Sequence, residues 1–282
     1  MSKAIRVRDK LIRAAFSRTM SMPMERAAHQ LFPVTVTAVQ DLSPIMRRLT
    51  LSAPELGDYA PLGPDEFFGL VMPPEGHDLP ELPQDPDRAT PRGAFGDLPE
   101  EARPEARWYT LRAHRPALGE VDVDVVAHGD AGPGSSWVLR AEVDAVAGFQ
   151  TGTAAYRTGG ATGPQVIAGD ETAAPAISRI LEVLPEGVEA HVFLEVPTVG
   201  DVPDLPHPAG ATITVIERGT HAPGSALISA VEAADLPIPT GSWLAGEQKT
   251  VAGVRRHLVG TLGAEKRSIY HCAYWILGRA RG

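Results

Sequence analysis

The sequence predicts a two-domain β + α/β protein: an N-terminal antiparallel β-barrel followed by a C-terminal parallel-sheet α/β domain. Three observations predict it. Apolar residues alternate with period two through the first half, as antiparallel strands with one buried face require. Short apolar runs separated by helical stretches fill the second half, as a parallel sheet covered on both faces requires. A Gly/Thr-rich stretch, residues 158–164, divides the two. A length of 282 residues suits two modest domains. The expected divisions are a basic N-terminal helical segment at 1–32, the barrel at 33–158 and the α/β domain at 163–282.

The N-terminal thirty residues carry Lys3, Arg6, Arg8, Lys10, Arg13, Arg18 and Arg26 against Asp9 and Glu25, in a chain whose net charge is -9. Charges recur too often for the apolar stretch of a secretory signal. Two readings stay open: a basic amphipathic helix making weak contact with an anionic membrane surface, or a solvated or packed helix. Strand patterning then covers 34–39, 45–51 after the Ser43-Pro44 turn, and 67–72. Residues 73–104 hold eight prolines and eight acidic residues without periodicity, a long loop that serves as a lid or a tolerated insertion. Strands resume at 107–113 and 121–128, the latter setting Val121, Val123 and Val125 opposite Asp122 and Asp124. A short helix is expected at 135–141 and a closing strand at 148–156. In the second half strands are expected at 165–168, 191–196, 211–217, 242–245 and 268–275, with helices at 173–184, 226–233 and 251–262.

Composition excludes several classes. No run approaches the roughly 18 apolar residues of a membrane-spanning helix. The lone Cys272 rules out an intramolecular disulfide and a Cys-ligated iron–sulfur cluster; it reads as a packing residue and suits a reducing cytoplasm, the expected compartment, and a monomer is expected. The acidic balance argues against nucleic acid as a partner. The nine histidines show neither H-x-H nor H-x-x-x-H spacing, so no protein metal site is expected.

Three segments could carry chemistry. Arg107-Trp108-Tyr109-Thr110-Leu111-Arg112, on a strand, sets Arg107, Tyr109 and Leu111 on one face and Trp108, Thr110 and Arg112 on the other. A flavin dinucleotide wants such partners: guanidinium for its pyrophosphate, a flat neighbour and hydrogen bonds for its ring. A barrel strand with surface arginines explains the same residues. His128-Gly129-Asp130-Ala131-Gly132-Pro133-Gly134-Ser135-Ser136-Trp137 runs a strand into a Gly-rich turn and a capped helix, where free N–H groups could meet an anion or simply make a turn. Ala168-Gly169-Asp170-Glu171-Thr172-Ala173-Ala174-Pro175 ends a strand and starts a helix with proline in its first turn. Crevices at the carboxyl ends of parallel strands hold nucleotides, yet two carboxylates there would repel a phosphate, and no G-x-G-x-x-G opens the domain.

In this order the segments resemble the siderophore-interacting protein family of ferric-siderophore reductases, within the ferredoxin-NADP reductase superfamily. Arg107-x-Tyr109-Thr110-x-Arg112, His128-Gly129 with Gly132-Pro133-x-Ser135-x-Trp137, and Gly169-Asp170-Glu171-Thr172-Ala173-x-Pro175 carry the resemblance, with Trp243-x-Ala245-Gly246-Glu247 and Tyr274-Trp275. It implies an FAD-binding barrel, an NAD(P)H-binding domain and a ferric siderophore as substrate. Arg107 and Arg112 would meet FAD phosphates, Tyr109 would pack on the isoalloxazine and Thr110 would bond its reactive edge. Leu111, His128, Gly129, Gly134, Ser135, Ser136, Trp137, Thr172 and Ala173 complete the implied FAD set. Asp170, Glu171, Glu247 and Tyr274 are the implied NAD(P)H set, with Arg218 and His221 at the adenosine phosphate or merely solvated.

One departure stands out. Where family members commonly carry a lysine, Gly69 stands in Asp65-Glu66-Phe67-Phe68-Gly69-Leu70, so an anionic chelate would meet Asp65 and Glu66 with less compensating charge. Two other functions fit the same residues: a general flavin reductase or electron-transfer flavoprotein, and a siderophore-binding protein without turnover.

Overall fold

A computed structural model describes residues 19–24, 26–82, 94–127, 133–158 and 162–279, with only the backbone of 133–135. These form two compact units, one of residues 24–154 and one in which residues from 155 onward are joined by 19–23.

The first unit is a seven-stranded antiparallel sheet. Its strands are β1 (Leu31–Ser43), β2 (Met46–Ser52), β3 (Phe67–Met72), β4 (Glu105–Thr110), β5 (Ala113–Arg115), β6 (Glu120–Val126) and β7 (Val146–Thr153), in the order β4-β3-β7-β1-β2-β6-β5. β4 and β5 lie at opposite ends of that order but are separated by only Leu111 and Arg112. The chain thus joins the two rims itself. Leu111 N–H donates to Glu66 O at 2.7 Å, and Arg112 N–H donates to Asp122 O at 2.8 Å, across to the ladder of β6. The two ends of the sheet order are thus brought together at this corner through the covalent chain, which makes the unit barrel-like, while β4 and β5 are not paired with each other.

The period-two residues fill it: Val34 and Val36, Leu49 and Leu51, Phe68 and Leu70, and Val121, Val123 and Val125 form one buried cluster. Phe149 sits between two rings, stacked on Phe68 at 4.3 Å and on Phe32 at 5.1 Å between centroids. The opposite face of β6 is also covered. Asp124 is opposite Arg48 and takes two bonds from it, at 2.6 and 2.8 Å; Asp122 is opposite Thr50 and takes two more from Arg115, both at 2.7 Å. Cross-strand charge pairs of this kind fix register as well as adding stability.

Two expectations are corrected here. The helical segment 1–32 does not extend over its described part: residues 19–24 and 26–30 form no helix, and β1 begins at Leu31, while 1–18 and residue 25 lie outside the described residues. The strand expected over 107–113 is broken at the corner, so the alternation stops at Thr110 and Leu111 turns into the core. The expected loop 73–104 holds Leu82 and Phe95 against Leu31 and Val71 in a second small cluster; residues 83–93 lie outside the description.

The second unit is a five-stranded parallel sheet of β8 (Gln165–Asp170), β9 (Ala190–Val196), β10 (Ala211–Glu217), β11 (Gly241–Glu247) and β12 (Ile269–Trp275), ordered β10-β9-β8-β11-β12. α1 (Pro133–Arg140) belongs to the barrel unit, whereas α2 (Ala174–Glu182), α3 (Ser225–Ala233) and α4 (Gln248–Gly260) serve this one. Val166 and Ala168 point to α3 and α4, packing with Leu227, Val231, Val254 and Leu258. Gly169 points the other way, toward Ala173 and Ile177 at the start of α2. Both faces of β8 are therefore covered, and every residue in it is buried. Strand order reverses at β8: β9 and β10 lie on one side, β11 and β12 on the other. The carboxyl ends of β8 and β11 flank this switch point, where open α/β sheets place their ligands.

Candidate functional site

In the barrel the sequence-predicted residues gather on β4 and the corner. Glu105, Arg107 and Tyr109 share a face of the edge strand, and Arg107 pairs with Glu105 through one carboxylate oxygen. The other oxygen, Oε2, is buried and has no hydrogen-bond partner among the described residues. Burial holds the Glu105 carboxyl above its usual range, against the pull of Arg107. Burial likewise pushes the Tyr109 phenol up to about 12, so it stays protonated and able to donate. Arg112, at the corner, has its Nε 3.7 Å from Asp124. An orphaned acceptor, two half-buried guanidinium groups and an aromatic plane along one rim suit a ligand with hydroxyls, phosphates and a flat ring. FAD fits that donor set. Arg107 and Arg112 would meet its phosphates, Tyr109 its ring, and Glu105 a ribose or ribityl hydroxyl.

The remaining barrel residues divide. Thr110 is buried, and Leu111 and Trp137 lie in the barrel core, so the last two position backbone instead of presenting side chains. Ser136 is half-buried on α1. His128 and Gly129 fall outside the described residues, as does the side chain of Ser135, and Gly134 is described by its backbone alone. Asp65 and Glu66 do not face a substrate: they are 1% and 0% exposed, and Arg26 neutralises Glu66 at 2.8 Å while Tyr59 also donates to it. The expected repulsion of an anionic chelate by these two carboxylates is withdrawn. Gly69 lies between its register partners Trp108 and Gln150, and a Cβ there would sit 3.0 Å from Gln150 Oε1. A lysine at this position would have to displace the glutamine.

In the α/β unit the switch point is built around Asp170, the last residue of β8. Its Oδ1 accepts from Thr172 N–H at 3.0 Å and from the Thr172 hydroxyl, capping the turn into α2. Its Oδ2 accepts from Glu247 N–H at 2.7 Å and Trp275 Nε1–H at 2.9 Å, tying the ends of β11 and β12 to β8. Glu247 caps α4 in turn, accepting from Lys249 and Thr250 N–H at 2.6 and 3.0 Å, and it also receives Leu277 N–H at 3.3 Å. Gly246 makes the approach between Asp170 and the end of β11 possible. It has φ of +137°, and a Cβ on it would fall 2.5 Å from Asp170 Oδ2.

A second network runs toward β9 and β10. Arg218 donates to both oxygens of buried Glu171, at 2.6 and 2.7 Å, and its Nη1 is 3.7 Å from Glu195. Glu195, at 0% exposure near the end of β9, accepts from Gly224 and Leu227 N–H at 2.6 and 3.0 Å and so holds the start of α3. Thr172 is half-buried, Ala173 is fully buried, Tyr274 packs edge-on against Trp243 at 6.4 Å, and His221 is exposed. Sequence reasoning missed Glu195, Glu105 and the role of Trp275. A lone carboxylate inside the otherwise apolar Val192–Val196 run was the available signal for Glu195.

Burial, and then the charge of Glu171, push the Asp170 carboxyl up to about 6 from 3.8, against the Thr172, Trp275 and Glu247 donors. The folded protein therefore holds this proton more tightly than the unfolded chain does. The resulting stabilisation is fully present below 3.8 and is lost as pH rises through about 6. Urea unfolding of the protein and of Asp170→Asn, followed from pH 4 to 8, should show a stability difference that changes between 4 and 6 and is constant above 7; a difference flat over the whole range would refute the assignment.

An antiparallel, barrel-like unit and a doubly wound parallel unit within one chain make up the two-domain fold also seen in ferredoxin reductases. The ferredoxin reductase of carbazole 1,9a-dioxygenase shares the fold, at a TM-score of 0.61 and 18% identity over 89% of this chain and 71% of that one. The chain belongs to the siderophore-interacting protein family: residues 35–154 match its siderophore-interacting FAD-binding domain and residues 163–278 the siderophore-interacting protein domain. It is 34% identical over 193 residues to the ferric vibriobactin reductase ViuB of Vibrio cholerae, covering 64% of this chain and 67% of that protein. The solved siderophore-interacting protein SipS of Aeromonas hydrophila is 29% identical, with a TM-score of 0.71 over 88% of this chain and 99% of that one. A siderophore utilization protein from T. fusca is 26% identical, with a TM-score of 0.77 over 92% of this chain and 97% of that one. No helix among the described residues is long and apolar enough to cross a membrane.

Proposed function

We propose that this protein is an NAD(P)H-dependent flavoprotein that reduces iron(III) in ferric siderophores and releases iron(II). What carries the reading is that one chain holds both parts such a reaction needs. The barrel rim offers the donor set that fits FAD, the parallel sheet has a capped and polar switch point, and each half matches its own siderophore-interacting domain. The relative ViuB is named as a reductase of a ferric siderophore.

FAD, when bound, supplies the exchange between a two-electron donor and a one-electron acceptor. One NAD(P)H thus reduces two ferric chelates, yielding NAD(P)⁺, one proton and two iron(II). The chain's own residues bind and orient. Arg107 and Arg112 hold phosphate, Tyr109 offers a neutral ring face, and Thr110 and Leu111 fix the rim through the barrel corner. By the family resemblance His128, Gly129, Gly134, Ser135, Ser136 and Trp137, the last four on α1, bear on the same dinucleotide. Asp170, Thr172 and Glu247 keep three strand ends and two helix starts in register for NAD(P)H, while Glu171 and Arg218 brace that edge from behind. No side chain is needed as nucleophile or iron ligand. Hard oxygen chelators hold iron(III) far better than iron(II), so reduction loosens the metal with the siderophore intact. An unpaired Cys272 accords with a reducing cytoplasm as the place of action.

The purified protein should be yellow and should bleach on anaerobic addition of NADH or NADPH. With a ferric siderophore present it should then deliver iron(II) to ferrozine. Bleaching without chelate-dependent iron(II) would point to a general flavin reductase, and chelate binding by a colourless protein that FAD does not reconstitute would point to a binder without turnover.

A further inference from the structure

Resting on the reductase reading, we infer that the nucleotide edge selects the unphosphorylated donor, NADH over NADPH, and that Glu217 is the residue that decides it. The corner after β9 and β10 is where a dinucleotide lying across the switch point would place its adenosine ribose. Its fixed charges are nearly all negative. Glu217, exposed at the end of β10, accepts Val199 N–H through Oε2 at 3.0 Å, and its Oε1 has no bond among the described residues. Asp201 accepts Thr198 N–H at 2.9 Å on the same turn. Glu171 and Glu195 lie buried behind them.

Arg218 is the cation that could have balanced a 2′-phosphate, and it is already committed. Both terminal nitrogens bond Glu171, with Glu195 3.7 Å away, and the residue is 9% exposed. Freeing it for a phosphate would strand two buried carboxylates, which is far more costly than the exchange of one surface ion pair for another. His221 follows on the same turn, exposed, and its backbone N–H donates to Arg218 O at 3.1 Å. Among the described residues of this turn it is the other side chain that can carry positive charge. A ribose 2′-hydroxyl can donate to Glu217 Oε1. A 2′-phosphate brings only acceptors and about two negative charges to a carboxylate that cannot donate.

The test uses the FAD-loaded full chain at pH 8 and low salt, with NAD⁺ and NADP⁺ as non-reducing probes in calorimetry, and anaerobic flavin bleaching by NADH and NADPH as a second readout. NAD⁺ should bind at least about tenfold more tightly, the scale expected where like charges are brought together. Added salt should narrow the ratio, and Glu217→Arg should raise NADP⁺ affinity by a comparable factor. Glu217→Arg with an unchanged ratio, or NADP⁺ binding as tightly as NAD⁺ while both reduced forms bleach the flavin, would overturn the selectivity and leave the reductase reading standing. A flavin that neither nucleotide bleaches would overturn the reductase reading and this inference with it.

Discussion

Arg218→Ala is expected to destabilise the α/β domain by roughly 3–5 kcal/mol, the usual consequence of leaving buried charge uncompensated. The guanidinium bonds both oxygens of Glu171 and lies 3.7 Å from Glu195, and those two carboxylates are 1% and 0% exposed. Removing it leaves Glu171 without its bidentate partner beside Asp170, whose carboxyl is already pushed up to about 6. The loss should appear as a lower urea midpoint. Glu171→Leu combined with Arg218→Leu should recover most of it, because an apolar pair of similar volume replaces the stranded charge. If the single and double variants unfold alike, the pair is not what stabilises this edge.

Gly246→Ala should have the next largest effect, about 3 kcal/mol, from two causes that act together. The residue holds φ at +137°, a region essentially closed to side chains. A Cβ would also fall 2.5 Å from the Asp170 carboxylate, an overlap that packing must relieve by moving β8 away from β11. The bond from Glu247 N–H to Asp170 would lengthen and the start of α4 would shift with it. Thermal unfolding should therefore occur at lower temperature, and nucleotide binding should weaken in the protein that remains folded. Full stability and full binding in this variant would show that the strand ends have slack where none is inferred.

How far the sequence foretold this depends on the range of the interaction. The strands and helices were legible because burial imposes a period: Val121, Val123 and Val125 face the core as their spacing requires. The α/β strand and helix expectations fall within a few residues of the observed elements because each is a short apolar run bounded by Gly, Pro or charge. The barrel corner was not legible, since nothing local distinguishes Leu111 and Arg112 from a continuing strand; the break comes from pairing with Glu66 and Asp122. Nor were the charge networks. Asp122 and Asp124 look solvent-facing until Arg48 and Arg115 arrive from other strands, and Glu66 looks exposed until Arg26, from the segment before β1, pairs with it. The motif residues were found as a set, but Arg218 was read as an open cation because its partner, Glu171, lies 47 positions earlier in the chain.

The barrel corner has a consequence for the company the molecule keeps. In the barrel the corner leads straight from β4, one end strand, into β5, the other, and β5 is only three residues long, so that end offers another strand little edge to add to. The parallel sheet has no such corner and ends in β10 on one side. That strand reads Ala-Thr-Ile-Thr-Val-Ile before its first charge at Glu217, and Val215 is 45% exposed. If copies of this protein ever aggregate edge to edge, the seam will run along β10, and a lysine set into its outward face would be the guard that this rim lacks.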